Sequence, residues 1–275
     1  MGEIFEFRRM VEISQSELEE GARRLQQAES NREVCEPVRD LIDPLDLDSA
    51  YAIQEINTAA RVADGGQIVG RKIGLTAKVV QAQLGVDQPD FGIMFSDMEV
   101  ASGATLAWSR VMQPKVEAEI TFVLKKDLNL ADHSLEDIAN AIDYAVASIE
   151  IPCSRIKNWD IRIADTIADN ASAGFYVLGN EKVRLDGFDL LCCKMSMSVN
   201  GEEVSSGRGS ACLDNPLNAV KWLADIMVKV GRPLLAGDIV LSGALGPMAA
   251  VNPGDKVEAS IEGLGTVSVE FSKED

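Results

Sequence analysis

Three observations predict an α+β fold, with a small helical N-terminal region ahead of a larger, mainly antiparallel β domain. Apolar side chains recur at helical spacing up to about residue 65, strand patterns dominate from about residue 113, and the strands come in runs with helices inserted. Runs of this kind argue α+β rather than an alternating βαβ chain. The boundary is placed near residue 80, giving a helical region of 1–80 and a mixed-β domain of 81–275.

The elements follow in order. Ser14 and Glu17 have the spacing of a capping box, and Leu18, Ala22, Leu25 and Ala28 then mark one helix face. Asp48 is placed to cap a second helix carrying Ala52, Ile53, Ile56, Ala59 and Ala60, which stops at Gly65-Gly66. This arm has few large apolar residues and needs another surface to pack on. "QIVGRKIGL" (67–75) reads as a short strand, and "QPDFGIMFSDM" (88–98) as a turn-rich aromatic segment. Strands are predicted at "VEAEITFVL" (116–124), "YAVASIEIPCSR" (144–155), "GFYVLG" (174–179) and "GDIVLSGA" (237–244). "CKMSMSVNGEEV" (193–204) folds back at Asn200-Gly201, a strong hairpin signal, and "KVEASIEGLGTVSVEF" (256–271) reads as two strands around Gly263-Leu264-Gly265. One helix starts at Ser134, with Asp137 three residues on, and carries Leu135, Ile138 and Ile142. Another spans "NPLNAVKWLADIMVKVG" (215–231), with Pro216 early and Gly231 as its stop.

Composition narrows the function classes. The net charge is −18, from 44 acids and 26 bases, so nucleic acid and anionic membrane surfaces are excluded as partners for want of a basic patch. The five cysteines (35, 153, 192, 193 and 212) form no C-x-x-C, which indicates neither a disulfide framework nor a zinc knuckle. The N-terminal stretch lacks a signal-peptide shape and no apolar run reaches membrane-spanning length, so a soluble, cytoplasmic chain is expected.

The strand at 116–124 holds the first candidate site. A period of two sends Glu117 and Glu119 off the same face, opposite Val116, Ala118, Ile120, Phe122 and Leu124. A strand with one wet face looks the same. Glu150, however, sits in the otherwise uncharged, largely apolar run 144–153, where an ionised carboxylate is costly unless paired or metal-bound. Two like charges roughly 6 Å apart at an effective dielectric near 20 repel by about 3 kcal/mol, and a divalent cation reverses that sign. An all-oxygen donor set suits Mg²⁺ or Mn²⁺ rather than Zn²⁺.

A second group joins Lys72, flanked by Val69, Ile73 and Leu75, to Asp90, held on a turn between Pro89 and Phe91. A lysine and a carboxylate make plausible acid–base partners, and a surface salt bridge fits the same residues. Further candidates are the loop "ADNASAGF" (168–175), with Asp169, Asn170 and Ser172, and the glycine-rich turn "SGALGP" (242–247). "SSGRGS" (205–210) offers Arg208 to an anion. The lone histidine, His133, reads as a surface loop residue in "LADHSLED", which excludes Ser-His-Asp and Cys-His machinery.

Taken together, "VGRKIGLT", "QLGVDQPDFG", "QPKVEAEI", "IEI", "ADNAS", "SSGRGS", "NPLNAV" and "GDIVLSGALGP" resemble the 2-hydroxypenta-2,4-dienoate hydratase family, also called 2-oxopent-4-enoate hydratases, of the fumarylacetoacetate hydrolase-like superfamily. The resemblance runs from about residue 50 to 271. It implies a mixed, mainly antiparallel β-sandwich or roll, with residues 81–275 as the catalytic domain. It implies Mg²⁺ or Mn²⁺ on Glu117, Glu119 and Glu150, catalysis by Lys72 and Asp90, and substrate contacts from Leu75, Ser172, Ser242 and Gly243. The implied reaction is hydration of a dienol acid from meta-cleavage of aromatic rings. A homo-oligomer that can associate with other enzymes of that pathway is also implied. Ala77 and Lys78 depart from the family pattern, and Met94 and Met98 are candidates for tuning chain length. The sister 4-oxalocrotonate decarboxylases and a non-catalytic partner subunit are the competing readings.

Overall fold

The computed structural model describes residues 13–78, 81 and 86–273. The first twelve residues, read above for a signal peptide, and residues 83–85 of the "QLGVDQPDFG" motif lie outside them.

Two mixed sheets face each other. The first contains β1 (Ile68–Gly74), β2 (Asp90–Phe95), β3 (Glu99–Ala101), β5 (Lys115–Leu124), β6 (Ile142–Ile151), β7 (Phe175–Leu178), β10 (Ile239–Ala244) and β11 (Ala249–Ala250). Its order is β2-β1-β10-β5-β6-β7-β3, with the short β11 alongside β5. The second contains β4 (Thr105–Leu106), β8 (Lys194–Val199), β9 (Glu202–Arg208), β12 (Lys256–Ile261) and β13 (Gly265–Phe271), in the order β4-β13-β12-β8-β9. Most pairs are antiparallel; β1 with β10, β3 with β7 and β4 with β13 are parallel. The α+β sandwich expected from the sequence is therefore present. Between the sheets, Val116, Ala118, Ile120 and Ile149 share one core with Val257, Ala259, Val267 and Val269.

The helical arm finds its packing surface within the chain. Helices α1 (Gln15–Asn31) and α2 (Leu47–Ala63) bury Ala22, Leu25 and Ile53 against Ile163 and Ile167 of a short helix that the sequence pattern missed, counted below as α4 (Ile163–Ala168). The Ser14–Glu17 capping box is formed. The second helix starts earlier than expected, because Asp46 rather than Asp48 accepts the cap bond, from Ser49 N at 3.0 Å. Helix α3 (Leu135–Ala141) ends one residue before β6 begins at Ile142, and α5 (Pro216–Lys229) covers the large sheet.

Two expectations are corrected. The segment 88–98 is not mainly turn: residues 90–95 form β2, buried throughout, with Phe91 stacked on Tyr51 at 4.5 Å. His133 is not a surface residue. It is buried, and its Nδ1 lies 2.8 Å from Asp225 of α5 while its Nε2 accepts from Leu130 N at 3.2 Å. A long-range partner on α5 pulls a locally hydrophilic stretch inward. All five cysteines are free, and no described helix is long and apolar enough to cross a membrane.

Candidate active site

Five neighbouring strands of the large sheet deliver the site. β2 brings Asp90, β1 brings Lys72, β10 brings Ser242 and Gly243, β5 brings Glu117 and Glu119, and β6 brings Glu150. Glu117 stands directly opposite Glu150 in the β5–β6 ladder. Candidate ligand oxygens of Glu117, Glu119 and Glu150 lie within 4.8 Å of one another. Glu119 and Glu150 are 0% exposed and Glu117 9%, which removes the wet-face reading of this strand.

Such crowding is electrostatically unfavourable as it stands. Burial pushes the Glu117 carboxyl up to about 8, helped by the charge of Glu150. Burial, then Glu150 and Glu117, push Glu119 well above the ordinary carboxylate range. Burial likewise raises Glu150, against the pull of Lys72. The Lys72 ammonium is 3.1 Å from Glu150 Oε1. Burial alone would lower Lys72, but Glu150, Asp90, Glu117 and Glu119 together hold it above its usual value, so it stays charged. One ammonium cannot balance three carboxylates. Glu119 Oε1 and Glu150 Oε2 are buried without a hydrogen-bond partner, whereas Glu119 Oε2 accepts from Gly243 N at 3.0 Å. Three converging carboxylates, two of them with orphaned buried oxygens and no His or Cys among them, are the donor set of a hard divalent cation. The residues fit such an ion.

The floor beside the cluster is shaped by glycine and by strained backbone. A Cβ built on Gly74 would stand 2.2 Å from Asp90 Oδ1 and 3.3 Å from Lys72 Nζ, so only glycine leaves room for both groups. Asp90 Oδ1 is buried without a hydrogen-bond partner, and burial raises its carboxyl. Asn170, Ala171 and Ser172 all have positive φ (54°, 50° and 55°), as does Leu75 at 57°. Non-glycine residues in this region are strained, and such strain persists only where the surroundings enforce it. Here the Asn170 amide clasps Ile93, accepting from its N at 2.7 Å and donating to its O at 3.0 Å. The buried Arg155 guanidinium also donates to Asp169 and to the Ala173 carbonyl. The loop so held turns the Ala171 carbonyl to accept from Lys72 Nζ at 2.9 Å.

A cavity of about 420 Å³ opens over this floor, with Lys72, Asp90, Glu117 and Ser172 at its polar end. Leu75 lines it, and the Ser172 hydroxyl is 3.3 Å from that of Thr166, a cavity residue that sequence reasoning missed. Ser242 instead donates to the Ile120 carbonyl of β5 at 2.8 Å, and Gly243 N holds the Glu119 carboxylate. Met94 is buried in the core away from the cavity, and Arg208 is exposed on the other sheet. The missed wall residues Pro152, Trp159, Ile161 and Thr166 come from connections after β6, where no periodic pattern announces a pocket.

The model of the family described as Fumarylacetoacetate (FAA) hydrolase C-terminal matches residues 67–272. The chain belongs to the fumarylacetoacetate hydrolase family. Within this family, the chain is 58% identical over 236 residues to 2-keto-4-pentenoate hydratase 1 of Dechloromonas aromatica (strain RCB), covering 86% of this chain and 90% of that one. It is 39% identical over 258 residues to 2-hydroxyhexa-2,4-dienoate hydratase of Comamonas testosteroni, covering 93% and 98%. Among solved structures, 4-oxalocrotonate decarboxylase from Pseudomonas putida G7, complexed with magnesium and adipate, matches with a TM-score of 0.89 at 32% identity, covering 94% of this chain and 98% of that one. The fumarylacetoacetate hydrolase fold thus places the acid cluster of this chain on its large sheet.

Proposed function

We propose that this chain is a metal-dependent hydro-lyase that adds water to 2-hydroxypenta-2,4-dienoate in the meta-cleavage degradation of aromatic compounds. The product is 4-hydroxy-2-oxopentanoate, formed through the 2-oxo-3-enoate. The observation that carries this reading is the meeting of three buried carboxylates with Lys72 and Asp90 at one end of a largely apolar cavity. The names of the hydratase relatives, at up to 58% identity over most of both chains, support it.

Glu117, Glu119 and Glu150 would hold Mg²⁺ or Mn²⁺, which when bound supplies Lewis-acid polarisation of the substrate's 2-oxygen. The remaining work falls to the chain. Lys72, kept as an ammonium by the surrounding acids, offsets their charge and donates rather than accepts. Asp90 has a raised carboxyl and an unpartnered oxygen, so we assign the mobile proton to it. It takes the proton of the 2-hydroxyl and delivers it to C5, and then takes a proton from the water that adds at C4 and delivers it to C3. One water enters; the 2-hydroxyl O–H and one water O–H break, one C5–H, one C3–H and one C4–O bond form, and nothing is oxidised. Ser172 and Leu75 line the path of the substrate, positioned by the strained loops that hold them. A cytoplasmic homo-oligomer in contact with other pathway enzymes belongs to the same reading and rests on the family resemblance.

The test strips the protein of metal and supplies 2-hydroxypenta-2,4-dienoate with and without Mg²⁺ or Mn²⁺, with products identified by NMR. Metal-dependent 4-hydroxy-2-oxopentanoate is the expected result. Carbon dioxide released from 2-oxohex-3-enedioate would move the chain to the decarboxylase branch. Silence with both substrates would sink the assignment, and with it point to a non-catalytic subunit.

A further inference from the structure

One indole, that of Trp159, lines the cavity beyond Glu117 along β5. Along β5, Glu119, Glu117 and Lys115 leave the same face, about 7 Å apart. They run from the fully buried interior to the half-buried rim. Trp159 covers the last step. Lys115 Nζ lies 4.1 Å from the centre of the Trp159 ring, and Trp159, not Lys115, lines the cavity. Among the described residues no carboxylate forms an ion pair with Lys115; its ammonium rests on the indole and feels the charge of Glu117 from a strand step away.

The ring is held rather than free to swing. Its Nε1 donates to the Gln113 carbonyl at 2.9 Å, and Gln113 Oε1 accepts from Asn158 N at 2.7 Å. Asn158 and Trp159 both have positive φ, 59° and 55°, an unfavourable pairing that this clamp enforces. Pro152, Ile161, Pro247 and Met248 line the same cavity. The charged residues lining the cavity, among those described, are Lys72, Asp90 and Glu117.

We propose that Trp159 is a specificity-determining residue that reads the charge at the far end of the substrate, by screening Lys115 from the cavity. The inference rests on the cavity being the 2-oxo acid site. An alkyl tail meets an apolar wall and the face of an aromatic ring. A second carboxylate meets the negative face of that ring, with no cation in reach to compensate for its lost water. Removing the indole opens the wall and brings the Lys115 ammonium into contact with whatever occupies the far end.

The test measures binding by calorimetry to the Mg²⁺-loaded protein, using 2-oxohexanoate and 2-oxoadipate, which differ at the terminal carbon alone. The wild type is expected to prefer 2-oxohexanoate at least tenfold. Trp159→Ala is expected to abolish or invert that preference, and Trp159→Ala with Lys115→Met to restore it. Trp159→Phe keeps an aromatic screen and is expected to keep the preference, which separates screening from simple loss of fold. Lys115→Met alone is expected to leave the ratio unchanged, because the ammonium is already hidden. An unchanged ratio in Trp159→Ala, or a ratio in the double variant equal to that of Trp159→Ala, overturns the role of Trp159 while the site reading stands. Failure of both acids to bind the wild type overturns the site reading and this inference together.

Discussion

Residues 115–120 read KVEAEI and residues 256–261 read KVEASI, a difference of one side chain. Both are strands, and in both the valine, alanine and isoleucine face the same inter-sheet core. Their other faces have opposite fates. On β12, Lys256, Glu258 and Ser260 are exposed, whereas on β5 Glu117 and Glu119 are buried. The cause is position. β12 lies in a sheet whose outer face looks at water, with Glu258 opposite Ser198 and Ser268. β5 lies between β10 and β6, and its outer face is closed by the 152–173 connection and the loops after β1 and β10. The same local pattern, one side chain apart, is a solvated face in one place and a charged interior in the other. Burial of a glutamate is a property of what covers the strand.

That contrast is sharpest at the carboxylates themselves. Glu117→Gln or Glu119→Gln is expected to weaken Mn²⁺ binding by about 10²-fold or more, given that even outer-shell partners of metal ligands cost 10–100-fold. Activity should fall with it. Glu258→Gln, the matched change on β12, should alter neither metal affinity nor turnover and should shift stability by no more than about 0.5 kcal/mol. Calorimetric Mn²⁺ titration of the three variants decides this, and equal behaviour of Glu117 and Glu258 would break the comparison.

Lys72→Met comes next in size. It removes the one cation facing Glu150 and leaves the acids uncompensated, which for a broken buried pair costs about 3–5 kcal/mol. Urea unfolding of the metal-free variant should show the loss, and added Mg²⁺ should recover part of it. A variant as stable as wild type without metal would mean that the cluster is already neutral.

The smallest effect is a pH dependence. In the folded, metal-free protein burial and the charge of Glu150 push the Glu117 carboxyl up to about 8, against an ordinary value of 4.5. The folded state therefore binds more protons than the unfolded state between these values. Stability should fall as pH rises from about 5 to about 8, and be fully present below about 4.5. A bound divalent ion removes the penalty on the charged carboxylates, so Mg²⁺ should flatten the slope over that window. Thermal melts at pH 6 and pH 8, with and without Mg²⁺, measure it; a metal-free protein more stable at pH 8 would contradict the electrostatics described above.

Much of the chemistry was legible before any coordinates. Glu150 stood out because an apolar run carried one acid, and the E-x-E spacing put two more on one face. Both are local signals. The misreadings were equally local in origin. Asp48 looked like the cap because it precedes the helical stripe, whereas Asp46, two residues earlier, accepts the cap bond. His133 looked solvated because its neighbours are polar, and only Asp225, 92 residues on, draws it inward. Residues 90–95 looked like a turn because Pro89 and the glycine suggest one, while the strand forms through pairing with β1.

By itself the sequence determined the α+β class, most of the strands and their facing, and which acids are out of place. Period and composition suffice for these, because they depend on residues within a few positions of each other. Tertiary structure alone decided that β1, β10, β5 and β6 lie side by side, that Glu117 faces Glu150, and that Lys72 reaches both Glu150 and the strained Ala171 carbonyl. It also decided that Trp159 stands between the cavity and Lys115. Strand order and loop closure join residues far apart in the chain, and a periodic pattern says which face a side chain takes but not what it will meet there.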